Sequence, residues 1–326
     1  MTIDSAKLTF RLPEREISIP SFLSEAAQAC LMPPPEIAPF PPVENKDEWR
    51  TYITAWDESL MPLMEMLSPN EPCRTDTREF FGFRVFDVVP AALPSQTGGV
   101  ILSIHGGALI LCGGEMCRTM AGATAVRLQR RVWSVDYRMP PEHPYPAALD
   151  DCIAAYRELL LQYPSDQIVV EGSSAGGNLA AALILRARDE GLPLPAGLVL
   201  ISPEVDLTES GDSFQTNAGL DALVSLMPVN LLYADGHDLH HPYLSPLFGD
   251  LAGFPPTLLT TGTRDFFLSN TVRMHRALRA AGVPADLHVA EAAPHNGLLG
   301  SPEYAEITKE LRIFVGKVLG GDRLAS

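Results

Sequence analysis

Residues Ile168-Val-Val-Glu-Gly-Ser-Ser-Ala-Gly-Gly177 run directly into Asn178-Leu-Ala-Ala-Ala-Leu183. An apolar run enters a glycine-rich turn and leaves as a helix-forming stretch, which reads as strand, sharp elbow and helix. Such an elbow needs small residues two before and two after its tip, because a Cβ there collides with the neighbouring strand and helix. Ser174 has Gly172 and Gly176 at those offsets, whereas Ser173 has Glu171 and Ala175, so Ser174 takes the tip. A hydroxyl at the mouth of a helix meets partial positive charge, and the Ala175 N–H lies where developing negative charge would need it. This is the pattern of a serine nucleophile with half of an oxyanion hole.

The other half belongs on a loop after an earlier strand, and Ile101-Leu-Ser-Ile-His105-Gly106-Gly107-Ala108 supplies one. Glycines let a chain turn its amides into a shared pocket with no side chain in front of the substrate carbonyl. The expected donors are Gly106, Gly107 and Ala108 together with Ala175, each worth about 3 kcal/mol of transition-state stabilisation when well aimed. His105 is expected to brace the loop, not to carry protons.

A serine hydroxyl is a weak nucleophile near neutral pH and needs an imidazole to take its proton and a carboxylate to orient that imidazole. In a parallel sheet, active groups stand at the C-terminal ends of strands. Asp265, in Thr261-Gly-Thr-Arg-Asp265, and His295, in Ala293-Pro-His-Asn-Gly297, both follow strand-like runs. The order Ser174, Asp265, His295 also suits a scaffold built on a strand–elbow–helix nucleophile. Asp206 is the main competitor for the acid, with Glu204 and Asp150 behind it. His143, His237, His240, His241, His275 and His288 fall in turns, in an insertion or in the middle of elements.

Working outward, runs rich in Val, Ile and Leu at 83–89, 99–104, 132–136, 167–171, 196–201, 256–261 and 285–290 read as strands buried on both faces. Between them, residues 114–130, 147–162, 178–190 and 270–281 place apolar side chains three and four apart, as helices crossing over between parallel strands would. The fold class is α/β, a mostly parallel sheet flanked by helices. Two stretches break the alternation: 22–66, with helix-like 24–31 and 47–67 around a proline cluster at 33–42, and 207–253. Both are expected to belong to one lid.

A chain of 326 residues, 46% hydrophobic and 20% charged, can bury a large core and is neither disordered nor collagen-like. Its 24 Lys plus Arg against 40 Asp plus Glu give a charge of -16, which repels phosphate backbones and anionic lipid, so nucleic acid is not an expected partner. Aromatic residues, 7% of the chain, lack the basic interleaving of a single-strand platform. Cys30, Cys73, Cys112, Cys117 and Cys152 are an odd set in a chain too long to need stapling, so free thiols are expected. Cys112 and Cys117 are close, but no Cys or His pair follows at zinc spacing and the adjacent His240 and His241 chelate poorly, so neither metal nor cofactor is expected. Residues 1–20 lack the basic start and apolar run of a signal peptide, and no stretch reaches the roughly 18 uncharged apolar residues of a membrane span. A cytoplasmic protein with no membrane partner is the expectation, its oligomeric state open and a homodimer allowed.

Together these residues resemble the hormone-sensitive lipase family of α/β hydrolases, bacterial carboxylesterases with a His-Gly-Gly loop and a Gly-Asp-Ser-Ala-Gly-Gly elbow. Asp136-Tyr-Arg-Met-Pro-Pro-Glu-His-Pro-Tyr-Pro-Ala-Ala-Leu-Asp-Asp151 is the most specific match, similar to the family's signature after the fourth strand. The likeness continues through Leu200-Ile-Ser-Pro-Glu-Val-Asp-Leu207 and Pro242-Tyr-Leu-Ser-Pro-Leu247, over residues 99–297. The resemblance implies an α/β-hydrolase domain at 61–206 and 254–326, a discontinuous helical cap at 1–60 and 207–253, and a triad of Ser174, Asp265 and His295. It implies a serine carboxylesterase acting on short- to medium-chain acyl esters, with a small-molecule ester as partner. A lactonase or amidase could use the same triad, and plant relatives that lost the histidine serve as hormone receptors. Long-chain lipase action is disfavoured by the acidic charge and the lack of an amphipathic membrane helix. Three departures stand out: Ala108 in place of a third glycine, Ser173 in place of the usual acidic or threonine neighbour, and Arg264-Asp265-Phe-Phe in place of a more acidic run.

Overall fold

Strands β1 (Cys73–Glu79), β2 (Arg84–Pro90), β3 (Val100–Ile104), β4 (Arg131–Asp136), β5 (Ile168–Ser173), β6 (Gly197–Ile201), β7 (Thr257–Gly262) and β8 (Ala285–Ala290) form one eight-stranded sheet in the order β1-β2-β4-β3-β5-β6-β7-β8. The structure, a computed structural model, describes residues 16–31, 37–68, 71–93, 97–295 and 297–320. The expectations for residues 1–15, for 32–36 within the proline cluster and for Asn296 lie outside that set. Helices α1 (Glu25–Ala29), α2 (Lys46–Leu67), α3 (Glu115–Leu128), α4 (Ala147–Leu160), α5 (Ala175–Asp189), α6 (Ser213–Thr216), α7 (Met227–Ala234), α8 (Leu268–Ala280) and α9 (Pro302–Val318) complete the elements.

Alternation along the strands decides which helix covers which face. Val100, Leu102 and Ile104 of β3 join a core with Leu149 and Tyr156 of α4, Leu179 and Leu183 of α5, and Met274 and Leu278 of α8. Ile101, Val169, Val199 and Leu258, one residue out of phase, meet Ala121 and Leu128 of α3 and Leu311, Phe314 and Val315 of α9. With both faces covered, the central strands have no polar side to show, which is why they read as continuous apolar runs. Their parallel direction from β3 to β8 places the C-terminal ends of β3, β5, β7 and β8 along one edge, and the sequence puts Gly106, Ser174, Asp265 and His295 just beyond those ends.

The structure corrects the sequence reading in three places. The expected run of crossovers holds from β3 onward, but β2 is antiparallel to both β1 and β4. β1 was not expected: Cys-Arg-Thr-Asp-Thr-Arg-Glu carries no apolar alternation and is held by its ladder to β2 and by Arg78, whose guanidinium pairs with Asp87 at 2.8 Å and lies 4.3 Å over the Trp133 ring. α9 was also unread, although Ser301 caps it by accepting from Tyr304 N–H at 3.1 Å and Pro302 follows at its start, both ordinary signals of a helix beginning.

The two lid-like stretches divide. Trp49, Tyr52 and Ile53 of α2 share an apolar cluster with Phe214, Leu226, Val229 and Leu232 of residues 207–253, and this cluster reaches Ala108, Ile110, Phe266 and Phe267 beside the sheet edge. α1 instead packs through Leu23 and Ala27 on Ala292, Ala293 and Leu298. Ser24 N–H and Oγ–H both donate to the Glu303 carboxylate at 2.7 Å. Among the described residues, no helix is long and apolar enough to cross a membrane.

Candidate active site

Ser174 sits between the end of β5 and the start of α5 with φ 56° and ψ -122°, a left-handed conformation that costs a non-glycine residue about 1–3 kcal/mol. The surroundings enforce it. A Cβ on Gly172 would strike the Gly176 carbonyl oxygen, and one on Gly176 would strike the carbonyls of Ile104 and His105, so only glycine lets α5 pack this close to β3 and β5. Ser174 N–H donates to Ile201 O at 2.9 Å and its carbonyl accepts from Glu204 N–H at 3.1 Å, which pins the elbow to the chain leaving β6.

The elbow presents Ser174 Oγ to His295 Nε2 at 2.9 Å. His295 Nδ1–H donates to Asp265 Oδ1 at 3.0 Å, a tautomer assigned from the carboxylate on that side. Asp265, fully buried, also accepts from Thr261 Oγ–H at 2.6 Å and from Phe267 N–H at 2.8 Å. Burial alone would raise its proton affinity, but the His295 charge and the hydrogen bonds from His295, Ser202 and Thr261 outweigh it and hold Asp265 below the ordinary carboxylate range. Burial likewise works to lower the His295 value, yet the Asp265 charge and hydrogen bond, followed by Asp221 and Glu204, leave it above the ordinary range. The Phe267 ring meets the imidazole edge to face, centroids 4.8 Å apart, and limits its swing.

The loop after β3 lies against this pair: a Cβ on Gly106 would come within 3.0 Å of Ser173 O and 3.2 Å of Ser174 Cβ. Among the described residues, no hydrogen bond occupies the N–H groups of Gly106, Gly107, Ala108 or Ala175. The Gly107 carbonyl accepts from Ile110 at 3.0 Å and Leu111 at 2.8 Å, closing the loop into a turn. His105 braces it from behind, Nδ1–H on Gly106 O at 2.7 Å and ring stacked 4.2 Å from Tyr137, whose hydroxyl donates to His105 O at 2.9 Å. Ala108 has φ 51°, where a glycine would be unstrained. Ala108→Gly is therefore expected to raise stability by up to about 1 kcal/mol, the chain-entropy cost offsetting part of the relief. Denaturant midpoints of the two proteins test this, and a less stable glycine variant counts against it.

His105, Cys117 and Asp136 offer ligand atoms within 4.8 Å of one another. Asp136 is already engaged, accepting from Arg84 Nε at 2.7 Å and Gly114 N–H at 2.8 Å, and a guanidinium on the same carboxylate disfavours a second cation. The group reads as a brace behind the loop. Part of the signature stretch has a similar duty, since Asp151 takes both the backbone N–H and the guanidinium of Arg138 at 2.6–3.1 Å and fixes the chain leaving β4.

The competitors lie elsewhere. Asp206 accepts from Thr208, Ser210 and Arg273, the last at 2.7 Å, and so locks the turn out of β6 to α8. Asp150 pairs with Arg186 at 2.5 Å. His237, His240 and His275 bond to Ala234 O, Asp238 and Ala285 O respectively. Glu204 is fully buried beneath the elbow with neither carboxylate oxygen bonded, and burial pushes its pKa up to about 8. Residues missed in the sequence are Thr261 and Phe267, which touch the Asp265 carboxylate and the imidazole, and Asn217 and Asp221, whose side chains bond to backbone. Asp221 Oδ2 accepts from both Phe266 N–H at 2.7 Å and His295 N–H at 2.9 Å.

Residues 101–299 match the family model described as the alpha/beta hydrolase fold. The chain belongs to the α/β-hydrolase fold family. This α/β hydrolase is of the hormone-sensitive-lipase-like kind: its fold aligns with the crystal structure of an esterase E25 at a TM-score of 0.87 and 35% identity, over 97% of this chain and 99% of that one. It also aligns with EstE7, a hormone-sensitive lipase homologue from a metagenome library, at a TM-score of 0.76 and 30% identity, over 86% of this chain and 100% of that one. In sequence it is 37% identical over 193 residues to an acetyl-hydrolase of Streptomyces hygroscopicus, covering 58% of this hydrolase and 64% of the relative. It is 35% identical over 231 residues to the carboxylesterase/phospholipase LipF of Mycobacterium tuberculosis, covering 66% and 60%. The α/β hydrolase thus spans about three fifths of the length of these two curated relatives.

Proposed function

We propose that this α/β hydrolase is a serine carboxylesterase that cleaves short- to medium-chain acyl esters through an acyl-enzyme intermediate. The observation that carries the reading is the continuous hydrogen-bonded line Ser174 Oγ, His295, Asp265, with steps of 2.9 and 3.0 Å, beside a loop whose Gly106, Gly107 and Ala108 amides bond to none of the described residues. His295 Nε2 takes the Ser174 proton as Oγ bonds to the ester carbonyl carbon, and the carbonyl oxygen becomes an oxyanion facing the amides of Gly106, Gly107, Ala108 and Ala175. His295 then returns that proton to the departing alkoxide and the ester C–O bond breaks. Water, deprotonated by His295, attacks the acyl-serine and releases the carboxylic acid. Asp265 stays ionised throughout, holding the imidazole and offsetting its charge. The esterase, carboxylesterase and acetyl-hydrolase names of the relatives agree with this chemistry.

Residues 207–253 and α2, which share one apolar cluster, are read as the cap over the acyl pocket. The aromatic cluster of Trp49, Phe214, Phe266 and Phe267 fills the space beside Ala108, which favours short acyl chains over long ones. Two measurements test the reading on the intact chain. An organophosphonate is expected to add to one residue, located at Ser174 by peptide mass spectrometry, and kcat/KM on aryl esters is expected to peak at short to medium chains. Failure of the phosphonate to add at Ser174 while ester turnover proceeds would overturn the mechanism, and a maximum at long chains would overturn the pocket assignment.

A further inference from the structure

Between β6 and β7 the chain leaves the sheet and makes a short coil, α6 and the turn that follows. Asn217 N–H donates to Ser213 O at 3.0 Å and ends α6, and a turn through Gly219, at φ 80°, then brings Asp221 N–H to Asn217 O at 3.2 Å. The side chains of residues 213, 217 and 221 nonetheless make one polar face toward the loops after β7 and β8. All three are polar and buried, with 2%, 6% and 1% of their surface exposed.

That face grips the two loops holding the acid and the base. Ser213 Oγ–H donates to Phe266 O at 2.7 Å, and Ser213 also exchanges bonds with Ser269 at 2.8 and 2.9 Å. Asn217 Nδ2 donates to the carbonyls of Thr263 at 3.2 Å and of Asp265 itself at 2.8 Å. Asp221 turns both oxygens to backbone N–H groups, Oδ1 to Leu223 at 3.1 Å and Oδ2 to Phe266 and His295. One atom, Asp221 Oδ2, thus ties the loop after β7 to the loop after β8, while the rest of the face holds the loop after β7 along its length.

We propose that this face of the cap segment is a positioning device for the reaction, with Asp221 the residue that fixes the backbone of His295 against the Asp265 loop. The proposal rests on the triad reading above. Its physical basis is that the loops after β7 and β8 are joined near the sheet by Thr263 N–H to Ala290 O at 3.0 Å, Arg264 N–H to Ala293 O at 3.1 Å and Ala292 N–H to Thr263 Oγ at 2.7 Å. Further out, the Phe266 and His295 N–H groups meet on Asp221 Oδ2, so the distance between the Asp265 carboxylate and the imidazole depends in part on the Asp221 carboxylate. A shift of about 1 Å at such a point is enough to cost on the order of 100-fold in rate. The acidic groups facing His295 come from three elements: Asp265 after β7, Asp221 from the cap segment and Glu204 after β6. Asp221 therefore acts on the base twice, through its backbone and through its charge.

The test uses the full chain with a short-chain aryl ester, comparing Asp221→Ala, Asp221→Asn and Ser174→Ala. Asp221→Ala takes the acceptor from three N–H groups, those of Leu223, Phe266 and His295, and is expected to lower kcat about 10- to 100-fold with KM within about threefold. Asp221→Asn can keep its oxygen on the Phe266 and His295 N–H groups but removes the charge. It is expected to lose less kcat and to move the acid limb of the kcat/KM profile to lower pH, because the imidazolium loses a stabilising neighbour. Wild-type kcat with an unmoved acid limb in both variants overturns the proposal, as does a loss confined to KM with the limb in place. Should Asp221→Ala fail to fold, the acid limb of Asp221→Asn decides alone. An active Ser174→Ala removes the triad reading and this proposal with it, whereas an inactive Ser174→Ala beside unaltered Asp221 variants removes this proposal only.

Discussion

Ser174→Ala is expected to lower kcat by about 10^4- to 10^6-fold with KM nearly unchanged. The hydroxyl contributes to the transition state as the atom that bonds to carbon, and no other group in the site replaces it: Ser173, its neighbour, ends β5 in register with Ile201 and does not occupy the elbow tip. Alanine at φ 56° carries the same backbone strain as serine, so denaturant midpoints should barely move and the loss reads as chemistry, not unfolding. Residual turnover then reports what the amides of the oxyanion loop achieve with water as nucleophile. His295→Ala should cost about as much by itself, and the double variant little more, because the two residues act as one unit. Stopped assays on both variants with matched circular dichroism check this. A Ser174→Ala protein keeping more than about 1% of wild-type kcat in its native fold would end the serine mechanism.

Why Ser174, Asp265 and His295 could be named in advance has a simple physical basis. Each is fixed by a local rule: small residues around an elbow, and chemistry placed just past the end of an apolar strand. Those rules are written in contiguous residues, and the structure brings the three named positions to 2.9 and 3.0 Å of one another. The strands from β3 to β7 were legible for the same reason, since burial on both faces leaves long runs of Val, Ile and Leu. β1 was not, because an edge strand is held by its backbone ladder and needs no apolar side chain. Asp221 and Asn217 were not, because their partners are backbone N–H and C=O groups up to 74 residues away, and nothing near them in sequence marks such a bond. Of the two interrupting stretches, residues 207–253 announced themselves by separating two strands, whereas the packing of α1 is long-range: Leu23 and Ala27 lie on Ala292, Ala293 and Leu298 after β8, and Ser24 bonds to Glu303 of α9.

Glu204→Gln is expected to stabilise the protein at alkaline pH by a few kcal/mol, and to leave it unchanged in mild acid. Glu204 follows β6 directly below the nucleophile, where its N–H is spent on Ser174 O and its carbonyl accepts from Asn178 Nδ2 at 2.8 Å. The side chain is left in a fully buried position with both oxygens unbonded, next to Asn230, whose own Oδ1 is also without a partner. Burial is the main cause of a pKa near 8. An unfolded chain releases the Glu204 proton near pH 4.5, the folded one not until about pH 8. Below the lower value both states hold the proton and the residue is neutral in the balance. As pH rises through the window the unfolded state gains by ionising, so the native protein loses stability until the buried carboxyl also ionises near pH 8, after which the deficit is constant. Glutamine has the same shape and no proton to lose, and its amide can donate to Asn230 Oδ1, so the variant escapes the whole loss. Urea unfolding of the two proteins at several pH values from 4.5 to 9 should show curves that coincide at the acid end and separate steadily toward pH 8. Parallel curves, or a glutamine variant that is weaker at pH 8.5, would mean that this carboxyl is ionised in the native state and stabilised by a partner, contrary to its surroundings in the fold.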